Sequence, residues 1–223
     1  PGINIERWPI SGMYMPRRVA LDAAWWLPVL VYPSEGARRN FSAFMDEIRL
    51  DDPSLALDRT AFPPAAQQRL RAIRLKISRV DGDRNGDGDL DRIYAFGGRS
   101  FSIRLPDNRL VYDSGDDFER ITAQATKDTY GSFTAGQPYF LFNAPDDESS
   151  FDQESDLRGP EPFAVTTGTI GGRTYAFISL ERVGGIMAYD ITNPFRPRFT
   201  SYINDRNFAL EPNEVLGVIG PSG

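Results

Sequence analysis

Hydrophobic and polar positions alternate most regularly in the last third of the chain, where turn residues separate four short apolar runs. The runs span residues 163–170, 173–180, 185–191 and 198–203. Gly171-Gly172 joins the first two runs, and paired glycines supply the positive φ angles of a two-residue hairpin turn. Four antiparallel strands in about 40 residues is the size of one propeller blade. The pattern therefore predicts an all-β fold with a blade at about 163–203.

A weaker copy of the same pattern precedes this region. Its runs span residues 75–80, 92–96, 100–105 and 110–113. A Tyr-Ala-Phe triplet falls in the second run of both copies, at 94–96 and 175–177, and a Gly-Gly pair comes before the third. Internal similarity of this kind indicates a repeated unit. The sequence thus predicts a second blade at about 72–113.

The remaining segments are less regular. Apolar stretches at 13–20 and 24–32 predict further strands, which would contribute to a third blade, and residues 63–74 predict a short helix with proline in its first turn. The acidic, apolar-poor stretch 144–160 is predicted to be a long loop. Closed propellers usually have about four to eight blades. We therefore interpret 1–223 as one partial propeller-type domain, completed by further chain or by a partner.

Composition excludes several kinds of chemistry. The chain has no cysteine and no histidine, which removes disulfides, thiolate nucleophiles, histidine bases and the usual zinc ligands. The formal net charge of −6 disfavours nucleic acid as a partner, because the phosphate backbone would be repelled. No apolar run approaches the roughly 20 residues of a membrane-spanning helix. Any chemistry must use carboxylates, arginines, hydroxyls or a hard cation.

The most specific motif is an acidic, glycine-rich stretch at residues 81–91. Oxygen-bearing side chains alternate along it, at Asp81, Asp83, Asn85, Asp87, Asp89 and Asp91. Ca²⁺ binds six to eight oxygens, and the glycine at the sixth position permits the sharp turn of a calcium loop. Arg92 stands where a helix-loop-helix hand has its bidentate glutamate. The motif predicts a Ca²⁺ loop without flanking helices, and a solvated acidic turn is the alternative.

The blade interpretation also gathers a second group of charged residues on one face. This group comprises Glu35, Arg38, Arg99, Asp116, Asp117, Glu119, Arg120, Glu161, Glu181 and Arg182. Carboxylates mixed with arginines can hold a metal ion and an anionic substrate. They can equally form a structural ion-pair network. If the chain is an enzyme, the candidate catalytic residues are Glu35, Arg99, Arg120, Glu161, Glu181 and Arg182.

Several segments resemble the bacterial choice-of-anchor I family. The resemblance lies in residues 82–89, 94–103, 111–120, 159–162 and 181–194, with weaker matches near the N-terminus. It implies a secreted or surface-tethered β-propeller, often one part of a larger protein, whose members carry alkaline-phosphatase-like or phytase-like labels. Two positions depart from the family pattern, since Ala37 and Phe163 stand where acidic residues are expected.

Together these observations predict an extracytoplasmic, calcium-binding β-propeller that is secreted, periplasmic or on the cell surface. We expect it to act as a binding or structural module whose partners are other protein chains or a cell-surface polymer. The alternative is a metal-dependent phosphoesterase, in which carboxylates hold the cation and arginines neutralise phosphate charge. The two missing acidic residues favour the binding module over the enzyme.

Overall fold

The computed structural model describes residues 3, 5–24, 27–130, 142–144 and 151–204. Within them lie fourteen strands, two α-helices and one short 3₁₀ helix at Gln153–Asp156. The strands are β1 (Ile10–Gly12), β2 (Ala20–Ala24), β3 (Leu27–Pro33), β4 (Asn40–Phe41), β5 (Phe44–Met45), β6 (Glu47–Arg49), β7 (Lys76–Ser78), β8 (Ile93–Ala95), β9 (Phe101–Arg104), β10 (Leu110–Asp113), β11 (Pro162–Ile170), β12 (Arg173–Leu180), β13 (Ile186–Asp190) and β14 (Arg198–Ile203). The helices are α1 (Pro64–Arg71) and α2 (Asp117–Tyr130).

Three four-stranded sheets make up most of the fold, which is predominantly β as predicted. Sheet I has the order β1-β8-β7-β6, sheet II has β2-β3-β9-β10, and sheet III has β11-β12-β13-β14. Strands β4 and β5 form a separate two-stranded pair. Sheets II and III are antiparallel throughout, whereas β1 runs parallel to β8 in sheet I.

Sheet III lies where the sequence predicts a four-stranded unit. Each strand pairs antiparallel with the next along the chain, and the first hairpin closes with Ile170 opposite Arg173. Both turn glycines, Gly171 and Gly172, have positive φ, as a two-residue hairpin of this kind requires. Alternate residues of β12 are buried, so one face of the sheet is directed to the core.

The predicted unit at about 72–113 is wrong as a single sheet, although strands form at all four places. Strands β7 and β8 belong to sheet I, while β9 and β10 belong to sheet II. The reason is that N-terminal strands occupy the edges at which β8 and β9 would meet. Strand β1 pairs with β8, and β3 pairs with β9. The N-terminal region therefore supplies strands to two sheets instead of forming a third blade.

The sequence predicts one of the two helices and misses the other. Helix α1 lies inside the predicted 63–74 stretch, with Pro64 at its first position. Helix α2 is not predicted, and the sequence places the residues of its first turn, Asp117 and Glu119, only among the charged residues of one face. Its Phe118 is fully buried among aromatic residues of the core. None of the helices in the described part of the chain is long and apolar enough to span a membrane.

Two hydrophobic cores result from this arrangement. The larger core lies between sheets II and III and includes Val31, Phe101, Phe118, Ile178 and Tyr189. The smaller core joins sheet I to α1 and to the segment before it, through Ile48, Leu57, Leu70, Ile77 and Leu90. The predicted loop at 144–160 is described only at 144 and 151–160, where it contains the 3₁₀ helix with buried Glu154.

Candidate functional site

Three glutamates from separate parts of the chain converge on one site, which we call the glutamate cluster. Glu35 follows β3, Glu161 precedes β11, and Glu181 follows β12. One carboxylate oxygen of each lies within 4.8 Å of the others. Glu35 and Glu161 are buried, whereas Glu181 is exposed. The structure thus brings together three of the acidic residues that the sequence assigns to a common face.

Three arginines surround the glutamate cluster. Arg17 Nη1 lies 3.1 Å from Glu35 Oε1, and Arg158 Nη1 lies 3.4 Å from the same oxygen. Arg158 also forms an ion pair with Glu161 Oε1. Arg182 Nε donates a hydrogen bond of 2.8 Å to Glu161 Oε2. The formal charges of the three carboxylates and the three guanidinium groups therefore cancel.

One buried carboxylate oxygen of the cluster, Glu35 Oε2, has no hydrogen-bond donor among the described residues. The buried Oε1 of Glu161 is held by its ion pair with Arg158. Burial raises the pKa of Glu161, and the hydrogen bond from Arg182 opposes that rise. An unsatisfied buried oxygen costs about 1–3 kcal/mol. Carboxylate oxygens in this arrangement suit a hard cation such as Ca²⁺ or Mg²⁺.

Close backbone packing fixes the position of Glu35. Gly36 and Gly97 both have positive φ, and a Cβ on either would overlap the backbone of the other loop. The loop after β3 and the loop after β8 are therefore in direct contact. Glu161 is also held by its backbone, since its N–H bonds to Arg158 and its carbonyl accepts from Glu181 N at 2.9 Å. Its own φ of 52° is rare for a residue other than glycine.

Arg99 lies outside the cluster and instead holds the segment that delivers Arg158. Its Nη1 is 3.0 Å from Glu119 Oε1 on α2. Its Nη2 donates to the carbonyls of Ser155 at 2.6 Å and Leu157 at 3.3 Å. Arg99 therefore fastens residues 151–160 to α2, and its role in this structure is to position the cluster.

The remaining members of the predicted face also lie apart from the cluster. Arg120 pairs with Asp116 and Asp117 near the start of α2. Arg38 lies 3.8 Å from Glu47 on β6. The sequence did not single out Arg17 or Arg158. The available signal for Arg158 was its position three residues before Glu161 in an acidic stretch.

A cleft of about 160 Å³ adjoins the glutamate cluster. Its charged lining consists of Arg38, Glu47, Lys76, Glu154, Arg158 and Arg182. Arg158 and Arg182 belong to both the cleft and the cluster. Lys76 Nζ lies 3.1 Å from Glu47 Oε1, so this acidic residue is already neutralised. Of the four cationic residues in the lining, Arg158 and Arg182 already pair with glutamates of the cluster.

The acidic loop at residues 81–91 folds around Asp83. Its Oδ1 accepts a hydrogen bond of 2.6 Å from Gly86 N, and its Oδ2 accepts one of 3.0 Å from Gly88 N. Asn85 Oδ1 accepts from Asp87 N at 3.0 Å. Both glycines have positive φ with open space beside them. These contacts give the loop the compact turn that its sequence predicts.

The other carboxylates of the acidic loop are arranged differently. Asp81 is directed away to Arg39 and Ser78, and Asp91 Oδ2 accepts from Arg84 N at 2.7 Å. Asp89 Oδ1 is buried without a donor, and burial and the neighbouring Asp87 raise the pKa of Asp89. In the described part of the chain, it is the glutamate cluster that brings three acidic side chains within 4.8 Å.

Comparison with known proteins places the chain in a family. The model of the choice-of-anchor I domain matches residues 1–194, and the chain belongs to that family. Gigasin-3a of Magallana gigas is 30% identical over 131 residues, which are 58% of this chain and 43% of that protein. The chain therefore spans less than half the length of this curated relative. No solved structure matches the chain. The family indicates an extracellular or surface-associated role.

Proposed function

We propose that the chain is a calcium-binding module of β-propeller type that acts at the cell surface, with Ca²⁺ held by the acidic loop at 81–91. Family membership supports the surface role. Three four-stranded sheets support the interpretation as propeller-type blades, with sheet III matching one blade strand for strand.

The observation that carries the calcium proposal is the joining of loop 81–91 to the smaller core. The loop presents alternating oxygens, two positive-φ glycines and the unpartnered buried oxygen of Asp89. Its end is tied to a distant segment, since Leu90 N donates to Ala56 O and Asp58 N donates to Leu90 O, both at 3.1 Å. Leu90 itself is buried in the smaller core. A cation in the loop would therefore stabilise sheet I as well as the loop.

Thermal unfolding of the intact chain tests the calcium proposal. A ligand that binds only the folded state at one hundred times its Kd adds about 2.7 kcal/mol of stability. Ca²⁺ should therefore raise the melting temperature, and Asp83→Ala should reduce that rise. Asp107→Ala, in an exposed turn between β9 and β10, is the matched control and should keep the calcium response. The proposal is contradicted if neither Ca²⁺ nor chelator changes the melting temperature of the intact chain.

The partner proposed for this module is another protein chain or a surface polymer. A pair of exposed apolar side chains on neighbouring strands of sheet III supports a protein partner, because exposed apolar surface can mark an interaction site. These are Ile186 and Ile203, which lie opposite each other on β13 and β14 and are 51% and 69% exposed. The family's surface role supports either partner.

A second candidate is a metal-dependent phosphoesterase, and the glutamate cluster is the observation that favours it. A cation there would activate water while Arg158 and Arg182 neutralise the developing charge. Phe163, at one of the two positions where acidic residues were expected, packs against the guanidinium of Arg17 at 4.5 Å. This position therefore holds an arginine of the cluster and supplies no metal ligand.

Hydrolysis of p-nitrophenyl phosphate by the intact chain, with Mg²⁺ or Ca²⁺ added, tests the enzyme candidate. Catalysis by this route predicts that Glu161→Gln abolishes hydrolysis while the protein remains folded. Arg120→Gln is the control, because Arg120 lies outside the cluster and should leave the rate unchanged. Absence of hydrolysis with either cation contradicts the enzyme candidate.

A further inference from the structure

We propose that the glutamate cluster is a divalent-cation site separate from loop 81–91, and that its cation recruits an oxyanion group to the adjoining cleft. This inference goes beyond the calcium loop and does not depend on it. The cluster joins the loop after β3 to the two ends of the β11–β12 hairpin, so a cation there would connect sheet II with sheet III.

The two buried glutamates face the arginines differently. Glu35 gives Oε1 to Arg17 and Arg158, and its Oε2 has no donor among the described residues. Glu161 gives Oε2 to Arg182 and Oε1 to an ion pair with Arg158. Glu35 is 4% exposed, so bulk water does not satisfy its second oxygen. The arginines thus orient the carboxylates from outside, as partners of metal ligands commonly do.

The spacing of the three carboxylates suits one shared ion. Oxygens within 4.8 Å of one another can each lie about 2.3–2.6 Å from a common Ca²⁺. A set made only of carboxylate oxygens selects hard cations, and the chain has no histidine or cysteine to favour softer ones. Ca²⁺ takes about six to eight ligands. Three glutamates therefore leave several positions for oxygens of water or of a bound group.

The charge balance determines what that bound group is. The cluster is neutral when three arginines face three glutamates, so a divalent cation gives it an excess of two positive charges. The adjoining cleft adds Arg38 and Lys76, whose charges Glu47 and Glu154 balance, so the surplus comes from the cation. A carboxylate of an acidic polymer and a phosphate monoester both supply the oxyanion that this surplus attracts.

Calcium titration by calorimetry tests the cation site and separates it from the loop. In the Asp83→Ala background, one calcium site should remain, and adding Glu181→Gln should weaken it at least about tenfold. Glu181 is exposed, so Glu181→Gln should not change the melting temperature in chelator. Glu6→Gln, at an exposed glutamate that pairs with Arg69, is the matched control and should bind as its parent does.

Each outcome of this titration is decisive for one of the two proposals. If neither Glu181→Gln nor Glu35→Gln changes calcium binding in the Asp83→Ala background, the cation site at the cluster is refuted. If Asp83→Ala alone removes all calcium binding, the loop is supported and the cluster is refuted. If Asp83→Ala changes nothing while Glu181→Gln removes binding, the cluster is supported and the loop is refuted.

Binding of inorganic phosphate and of trigalacturonate, each with Ca²⁺ and in chelator, tests the oxyanion group. Either probe should bind only with Ca²⁺, and Lys76→Gln should weaken binding about tenfold. The Glu181→Gln variant serves as the blank. Calcium bound by the probe alone gives the same signal with this variant and with the parent, and that signal is subtracted. Preference for phosphate or for trigalacturonate identifies the source of the oxyanion. Equal binding in chelator, or no binding of either probe, overturns recruitment by the cation.

Discussion

Sheet III and the region from β7 to β10 have nearly the same pattern of strands but different topologies. In sheet III, each strand pairs with its neighbour in sequence. Between β8 and β9 the chain passes from sheet I to sheet II, although five residues separate these strands, as they do β12 and β13. Loop length therefore does not decide the pairing. The difference lies in the N-terminal strands, which take the free edges of β8 and β9.

The comparison shows that strand positions and strand partners have different physical origins. Strand position follows from turn residues and from the local alternation of apolar and polar residues. Both can be identified within a short stretch of sequence. Strand partners depend on which edge another segment covers, and that segment can be far away in sequence. β3 meets β9 across about seventy residues, with Val31 opposite Ile103. Substitutions can therefore test strand position and strand partners separately.

The largest effect is expected at Phe101, the residue that joins sheets II and III. Its ring centroid lies 4.8 Å from that of Tyr189, and its side chain is fully buried. Phe101→Ala should lower the free energy of unfolding by about 3–5 kcal/mol. Ile77→Val, in the smaller core, should cost only about 1 kcal/mol. Urea unfolding measures both, and a loss below about 1 kcal/mol for Phe101→Ala would show that the two sheets do not share one core.

An intermediate effect is expected where the chain leaves sheet I. Gly97 has a φ of 82°, and a Cβ there would overlap the Glu35 carbonyl, so Gly97→Ala should cost about 3 kcal/mol. Gly172 in the sheet III hairpin also has positive φ but has open space beside it, so Gly172→Ala should cost about 1 kcal/mol. Equal costs in urea unfolding would show that the contact between the two loops is unimportant.

The smallest effect is expected at Asp190 in sheet III. Hydrogen bonds from Thr192 and the neighbouring Arg173 hold the pKa of Asp190 below its ordinary value of 3.8. A lowered pKa means that the folded state favours the charged form. The contribution is therefore present above the ordinary value and is lost as pH falls through the folded value. Asp190→Asn should cost about 1 kcal/mol at neutral pH.

Chemical unfolding of the Asp190→Asn variant and the parent across the acidic range checks this pH dependence. The difference in unfolding free energy should shrink as the pH falls below the ordinary carboxyl range. A difference that stays constant with pH would assign the cost to packing. Asp107→Asn, in an exposed turn, is the control and should show no pH-dependent difference of this size.

The sequence predicted β3 and β7 to β14 near their observed positions, but it missed β1, β2 and β4 to β6, and no strand forms over residues 13–19 of the predicted 13–20 run. Sheet III was predictable because its contacts are between neighbours joined by Gly171-Gly172 and similar turns. Helix α2 was missed because its acidic first turn resembles a solvated loop. The sequence alone does not show that Phe118 is a core residue, because its burial depends on the core between sheets II and III.

The candidate site was predictable in its acidic residues and in Arg182, but not in Arg17 and Arg158. The sequence grouped Glu35, Glu161 and Glu181 through their places in loops between strands. Arg17 was missed because its segment, 13–20, was predicted to be a strand, and Arg158 because its segment, 144–160, was predicted to be a long loop. The sequence also grouped Arg99 with these residues. In the structure, Arg99 bonds to Glu119 and to the carbonyls of Ser155 and Leu157 instead of the cluster.

Amide hydrogen exchange of the Glu181→Gln variant, with Ca²⁺ and in chelator, tests most directly whether loop 81–91 holds the cation that stabilises sheet I. Glu181→Gln weakens the second proposed cation site, so that at a Ca²⁺ concentration below its weakened affinity the response comes from the loop. We predict that Ca²⁺ slows exchange across residues 76–95 and leaves residues 173–190 of sheet III unchanged. Exchange that is unaffected at 76–95, or slowed equally in both regions, would contradict the proposed role of the loop.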